Sequence, residues 1–367
     1  MIDACDGCLR RAFLVAHLAP RIAGLLDNPA PRIAGLLALP DDAFVAAVAG
    51  DGRDRVWAFL DSFEVESARE ALDRFGVLAL CRHADDYPVL VQQLADPPAV
   101  LFGLGPAEAL RSLRREPAVT VVGSRRASPY GSEVAYALGR GLGASGVPVV
   151  SGLAVGIDGT AHRGCLDGSG LTLAVLACGP DVVYPRSHRR LYERIRSEGL
   201  VLSELPPGTR PFRWSFPARN RIMAALARMT VVVEAAEPSG SLITADFARD
   251  LGRAVAAVPG RVTSSVARGT NGLLRDGAVP VTRTEDVLDE LFGVGVRRPP
   301  RVVEARPGPA DPRQRAVLEA AERFSSVDAI AREISLNASD VRAALGRLEA
   351  EGWLVRRDLG GWERAAT

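Results

Sequence analysis

The chain has 367 residues, 47 % of them apolar and 24 % charged, with 45 basic side chains against 44 acidic ones. That length predicts two or three domains, the composition excludes wholesale disorder and collagen-like repeats, and the even charge means that any nucleic-acid site must come from local clustering. All 45 basic residues are arginine, a bias that arginine-favouring base composition would explain; without a lysine amine, Schiff-base and pyridoxal enzymes and Walker-A ATPases are excluded.

The five cysteines are too few for a disulfide scaffold, and no signal-peptide pattern opens the chain. The apolar stretches are broken by Arg, Asp or Pro well short of a membrane span, so a cytoplasmic protein without a membrane partner is expected. Cys5-Asp6-Gly7-Cys8 has the spacing of half a zinc knuckle, but no second Cys-x-x-Cys or His pair follows it. Cys81, Cys165 and Cys178 stand singly. Incidental thiols near a terminus are expected, with no metal.

Residues 1–115 read as short helices with no convincing strand, Arg10–His17 and Val65–Phe75 carrying the clearest helical periodicity. Within this helical N-terminal domain, Pro20-Arg-Ile-Ala-Gly-Leu-Leu26 recurs as Pro31-Arg-Ile-Ala-Gly-Leu-Leu37, a local duplication too short for a solenoid. A proline-punctuated connector follows, from Tyr87-Pro88 through Pro97-Pro98 to Phe102.

From 116 to 293 the texture changes to apolar runs alternating with helical stretches. Strands are predicted at Val119–Val122, Pro148–Val150, Thr172–Leu176, Leu200–Leu202, Thr230–Val233, Ala254–Val258 and Val279–Thr282, with helices near 131–145, 157–167, 187–197, 219–228, 241–251 and 284–291. Continuously apolar strands separated by helices predict an α/β domain built on a doubly wound, mainly parallel sheet. Residues 294–312, with five prolines, two glycines and four arginines, read as a linker. Helices at Gln314–Phe324, Val327–Ile334 and 340–350, then a hairpin around Trp353 and Trp362, predict a winged helix over 313–367.

In such a sheet ligands bind beyond the carboxyl ends of the strands. The first of these loops holds Gly123, Ser124 and Arg125, a glycine, a hydroxyl and a guanidinium opening a helix, suited to a phosphate or else a tight turn with a solvated arginine. The second holds Ser151 and Gly152, followed by Asp158 and His162 at i and i+4, either an acid–base pair or a brace for the helix start. Between Glu204 and Glu234 there is no acidic residue, while Arg210, Arg213, Arg219, Arg221 and Arg228 interleave with Phe212, Trp214 and Phe216. Guanidinium forks suit phosphates and aromatic faces suit unstacked bases, though the aromatics would equally anchor a long loop to the core. Arg219-Asn220-Arg221 is expected to open a helix, and Ser239, Gly240, Ser241 and Thr244 offer hydroxyls and amides at another helix start, as an anion site or an ordinary cap.

The set Gly123-Ser124-Arg125, Ser151-Gly152-Leu153-Ala154-x-Gly156-Ile157-Asp158-x-x-Ala161-His162, Tyr184-Pro185, Ser203-Glu204, Phe216-Pro217-x-Arg219-Asn220-Arg221-Ile222 and Ser239-Gly240-Ser241-Leu242-Ile243-Thr244-Ala245 resembles the DNA-processing protein family DprA, also called Smf. The resemblance is dense over about 83–292 and elsewhere rests on architecture alone. It implies an extended Rossmann-like fold, single-stranded DNA binding in a pocket, homodimerisation through that domain and loading of the recombinase RecA during natural transformation. It implies no nucleotide cofactor and no catalytic step. A nucleotide-hydrolysing enzyme of the lysine decarboxylase-like superfamily is the first alternative, but the stretch Glu237–Asp246 lacks most glycines and the glutamate of that motif. A transcription regulator is the second, against which 313–367 holds nine arginines and nine acids, a poor balance for a duplex reader.

Overall fold

Residues with both faces covered need no alternation, and the apolar runs of this chain pair into one sheet of ten strands among the described residues. In chain order these are β1 (Ile2–Asp3), β2 (Leu78–Cys81), β3 (Val100–Leu104), β4 (Val119–Val122), β5 (Val149–Ser151), β6 (Thr172–Leu176), β7 (Leu200–Ser203), β8 (Met229–Val232), β9 (Ala254–Ala257) and β10 (Val279–Pro280). The computed structural model describes residues 2–25, 33–106, 108–112, 116–299, 311–351, 353–356 and 361–364.

The spatial order is β1-β2-β3-β7-β6-β5-β4-β8-β9-β10. Strands β4 to β10 are mutually parallel, and β3 alone runs against its neighbours β2 and β7. The chain winds outward from β4 through β5 and β6 to β7, then returns to place β8 on the other side of β4. That reversal brings the loops after β4, β5 and β8 to one edge of the sheet, the position at which such sheets form their ligand crevice. Beneath it, helices Pro129–Ala144 and Ile157–Asp167 touch backbone to backbone: a Cβ at Gly164 would fall 2.2 Å from the Tyr136 carbonyl oxygen.

The first 115 residues are not strand-free, as the sequence pattern suggests; β1, β2 and β3 extend the sheet across the boundary expected near 115. Leu78-Ala-Leu-Cys81 lacks β-branched residues, and its conformation follows from burial on both faces beside β3 rather than from local preference. The N-terminal helices, Asp6–Leu25, Ile33–Leu37, Asp41–Val48, Arg53–Asp61 and Val65–Arg74, include a cluster of Leu14, Leu18, Ile22, Phe44, Val45 and Val56 that also receives Trp214. Of the direct repeat, residues 20–25 continue the first helix with Pro20 inside it, and Ile33–Leu37 forms a helix of its own; its positions 26, 31 and 32 lie outside the described residues.

The chain divides into two compact units, Met1–Pro300 and Arg301–Thr367. Much of the predicted linker lies outside the described residues, but its start is held: Arg297 pairs with Glu116 at 2.8 Å and Arg298 with Asp289 at 2.5 Å. The second unit has helices Pro312–Arg323, Val327–Glu333 and Ala338–Ala350 and a hairpin of β11 (Leu354–Arg356) and β12 (Trp362–Arg364), the order predicted from sequence. Asp311, Ser326 and Asn337 cap the three helices through their side chains, and Val317, Leu318, Ile330, Val341, Leu345 and Leu348 fill the small core. Among the described residues no helix is long and apolar enough to cross a membrane.

Candidate functional site

Three loops meet at the crevice, and a buried carboxylate laces two of them together. Glu234, two residues past β8, accepts hydrogen bonds from the Ser128 amide at 2.9 Å and the Ser128 hydroxyl at 2.5 Å, while its carbonyl accepts from the Ser124 amide at 2.7 Å. Ser124 in turn accepts from the Ile157 amide at 3.2 Å, joining the loop after β4 to the helix after β5. The close approach explains Gly123, where a Cβ would fall 2.7 Å from Ile157 Cγ1 and 2.8 Å from the Glu234 carbonyl. Gly156, at φ +84° and with its Cβ position 2.3 Å from the Ser124 oxygen, admits no other residue. Glu234 is not among the residues expected at the site, although an acid following a buried strand, after a long stretch without one, marks it in the sequence.

Arg219 holds the second loop from below. It is 6 % exposed, and its guanidinium donates to the carbonyls of Gly152 and Val175 at 2.7 and 2.5 Å and to Asn220 Oδ1 at 3.2 Å. Asn220 passes the connection on to the Gly240 carbonyl at 3.1 Å. A Cβ at Gly152 would lie 1.9 Å from Arg219 Nη1, so this glycine is required by the guanidinium beneath it. Burial lowers the Arg219 pKa to about 10, Asp158 opposing, so the group stays charged at neutral pH. Asp158 accepts from the Gly152 amide at 3.1 Å; burial raises its pKa, against the pull of Arg219.

Several residues expected on the ligand are therefore part of the scaffold. Ser151 is fully buried and donates its hydroxyl to the Val121 carbonyl at 2.6 Å. Ser241 is buried with its hydroxyl 2.8 Å from that of Ser239, which caps helix Gly240–Asp250. Thr244 is 1 % exposed, its hydroxyl without a partner among the described residues. Arg221 corrects the expectation most sharply. It is 1 % exposed and bonds Asp96 Oδ2 at 2.9 Å and both Glu204 oxygens at 2.9 and 2.6 Å. Burial opposes its charge, but the two carboxylates outweigh burial and hold its pKa above the ordinary value. Helix Ser215–Leu226 begins before the two arginines rather than at them, and residues two apart on a helix point to different faces, so only Arg219 lies under the crevice.

Of the two readings of Asp158 and His162, the acid–base pair is not formed: Asp158 accepts from the Gly152 amide at the helix start, and His162 bonds Thr172. The Thr172 hydroxyl donates its single hydrogen to the Val149 carbonyl at 2.9 Å, so His162 must donate to it from Nδ1 at 2.6 Å. Burial, with His188 and Arg219 adding to it, lowers the His162 pKa to about 3, so the ring is neutral.

At the surface the crevice presents Gly123, Ser124, Ser239 and exposed Gly240, with Arg125 and Arg126 projecting into solvent. The Arg125 guanidinium sits 5.2 Å over the Phe216 ring, and Tyr184 lies 5.7 Å from the same ring on its other contact. Arg213 precedes Phe216 by three residues and Arg186 follows Tyr184 by two; both are exposed. Among the described residues Arg125, Arg126, Arg186, Arg210 and Arg213 take no carboxylate partner. Of the basic run expected from the sequence, Arg210, Arg213 and Arg228 are exposed, while Arg219 and Arg221 are buried. Of its aromatics, Trp214 is a core anchor, 1 % exposed with Nε1 donating to the Ala19 carbonyl at 3.0 Å, whereas Phe216 is only partly buried.

Residues 79–292 match the family model of DNA recombination-mediator protein A. The chain is 42 % identical over 310 residues to the putative DNA processing protein DprA of Mycobacterium tuberculosis, covering 80 % of this chain and 78 % of that one. It is 36 % identical over 246 residues to DprA of Bacillus subtilis, covering 65 % and 82 %. The fold is similar to the crystal structure of DprA from Streptococcus pneumoniae, with TM-score 0.61 and 32 % identity over 78 % of this chain and 96 % of that one. It is also similar to DNA processing protein A of Helicobacter pylori, whose structure is described as showing a single-stranded DNA binding mode, with TM-score 0.52 and 30 % identity over 57 % and 94 %. Matching model, relatives and Rossmann-like sheet together place this chain in the DNA recombination-mediator protein A family, the DprA or Smf proteins of DNA processing.

Proposed function

We propose that this protein binds single-stranded DNA at the crevice beyond β4, β5 and β8, dimerises through the Rossmann-like domain of residues 116–293 and loads RecA onto the bound strand. The observation that carries the DNA reading is an exposed arginine on an aromatic platform, Arg125 over Phe216 with Tyr184 against the same ring. Arg186 and Arg213, exposed and close in sequence to Tyr184 and Phe216, add positive charge, and none of the three arginines has a carboxylate partner among the described residues. Phosphates would sit on Arg125, Arg126 and the turn Ser239-Gly240, and a base would stack on Phe216 or Tyr184. Arg219, Asn220, Ser151 and Ser241 would act by holding the loops apart at the width of a strand. Dimerisation and RecA loading are supported by the family resemblance. No catalytic step is proposed, because the two buried acids of the crevice are both engaged, Glu234 by Ser128 and Asp158 by Gly152.

The test is a titration of the full chain with single-stranded, duplex and mononucleotide ligands across a salt series. Single strands should bind tightest, and three or four neutralised phosphates should give a log–log salt slope of roughly −2 to −3. Arg125→Ala should lose about 1.5–3 kcal/mol of affinity, the worth of a charged hydrogen bond, without a change in melting temperature. Tighter binding of duplex, or unchanged binding by a folded Arg125→Ala/Arg213→Ala variant, would overturn the assignment.

A further inference from the structure

The half-knuckle Cys5-x-x-Cys8 finds its other half through the sheet. Strand β1 pairs with β2 in the register Ile2↔Ala79 and Asp3↔Leu80. Cys5 follows that pairing by two residues, Cys81 ends β2, and the first turn of helix Asp6–Leu25 swings Cys8 back toward both. His83 closes the group from the turn after β2. One ligand atom from each of Cys5, Cys8, Cys81 and His83 lies within 4.8 Å of all the others.

We propose that these four residues bind one zinc ion in a tetrahedral site of three sulfurs and one nitrogen that pins the start of the N-terminal helix to the end of β2. Zinc–sulfur bonds of about 2.3 Å and zinc–nitrogen bonds of about 2.0–2.1 Å give a tetrahedron whose sulfur-to-nitrogen edge is about 3.5 Å. The His83 Nδ1 lies 3.5 Å from Cys5 Sγ and 3.4 Å from Cys8 Sγ. One imidazole nitrogen, with a single lone pair or a single hydrogen, serves two thiols only through a weaker three-centre contact; a cation between the three atoms satisfies all of them. The Cys5 amide donates to Cys81 Sγ at 3.5 Å, the kind of outer contact that steadies thiolate charge around a metal.

The donor chemistry selects the ion. Three thiolates and an imidazole suit zinc and not magnesium or calcium, and a complete set of four leaves no position for water, which makes the site structural. Binding displaces three thiol protons to the buffer with no change in oxidation state. Burial pushes the Cys8 thiol pKa up, and the charge of Arg82, between Cys81 and His83 in the chain, lowers it and so favours the one net negative charge that remains. The consequence is mechanical: the helix so anchored carries Arg11, paired with Asp41 at 2.8 Å, and Ala19, the acceptor of Trp214.

The experiment is elemental analysis of the full chain purified under reducing conditions without chelator, followed by cobalt(II) substitution. One zinc per chain is expected, together with the absorption of a tetrahedral thiolate-bound cobalt ion. His83 is exposed, so His83→Ala should fold and yet lose the metal on desalting, while His83→Cys should keep it and strengthen the sulfur-to-cobalt band. A Cys5→Ser/Cys8→Ser variant should be metal-free and melt lower. Zinc-free wild-type protein that fails to retain added zinc through desalting, a Cys5–Cys8 disulfide in freshly reduced material, or equal zinc in wild type and the double variant would each overturn the proposal.

Discussion

Removing the Arg221 guanidinium should destabilise the larger unit without any reference to DNA. Arg221→Met keeps most of the apolar stem and deletes the charge, leaving Asp96 at 3 % and Glu204 at 15 % side-chain exposure with no cation between them. Breaking a buried pair from one side costs about 3–5 kcal/mol, because the remaining charge cannot be rehydrated. At roughly 2 °C per kcal/mol for a unit of this size, the melting temperature should fall by about 6–10 °C. Burial already pushes the Asp96 carboxyl up to about 6 with Arg221 beside it. Without the guanidinium it should be protonated at neutral pH, so the deficit should shrink as pH is lowered. The assay is calorimetry of wild type and variant between pH 5 and 8. Replacing the whole group, as Arg221→Met with Asp96→Leu and Glu204→Met, should recover much of the loss, since apolar packing often matches a buried ion cluster. A variant that melts within 2 °C of wild type across the pH range would refute the structural role, and its single-strand affinity would then decide whether Arg221 belongs to the ligand site.

Three further outcomes follow from the geometry. His162 titrates near 6.5 when unfolded and about 3 when buried, so the native state binds fewer protons; stability present above pH 6.5 should decline as pH falls toward 3, by roughly 5 kcal/mol at most, and His162→Asn should flatten that slope in denaturation series. Gly152→Ala places a methyl group 1.9 Å from Arg219 Nη1 and should displace the buried guanidinium, lowering stability by about 1–3 kcal/mol and single-strand affinity with it; a variant indistinguishable in both measurements would contradict the support role of Arg219. Truncation after Gly293 removes the unit of balanced charge and should change single-strand affinity by less than the tenfold mark of ~1.4 kcal/mol, the deficit appearing only in a partner-dependent step; a larger loss in a folded truncation would bring the C-terminal unit into the DNA site.

The legible part of this protein is what neighbouring residues decide among themselves. Val119–Val122 and Thr172–Leu176 are strands at the positions their apolar runs predict, helix Ile157–Asp167 spans its predicted residues, and Asn337 caps its helix, because periodicity and capping act within a few positions. The convergence of the loops after β4, β5 and β8 was legible too, since a parallel sheet puts all such loops on one edge. What the sequence could not show is which arginines face water. Arg219 and Arg221 read like Arg125 in the chain, and their burial is decided by Gly152, by Asp96 and by Glu204, of which Asp96 is 125 positions away from Arg221. The strands β2 and β3 were hidden for a related reason: Leu78–Cys81 is extended because β3 buries it, and no local preference records that partner. Cys8 and His83, 75 residues apart, meet only because β1 lies beside β2. Local chemistry determined the elements and the binding edge; the pairing of charges and thiols, which depends on desolvation and long-range contact, was settled only when the chain closed on itself.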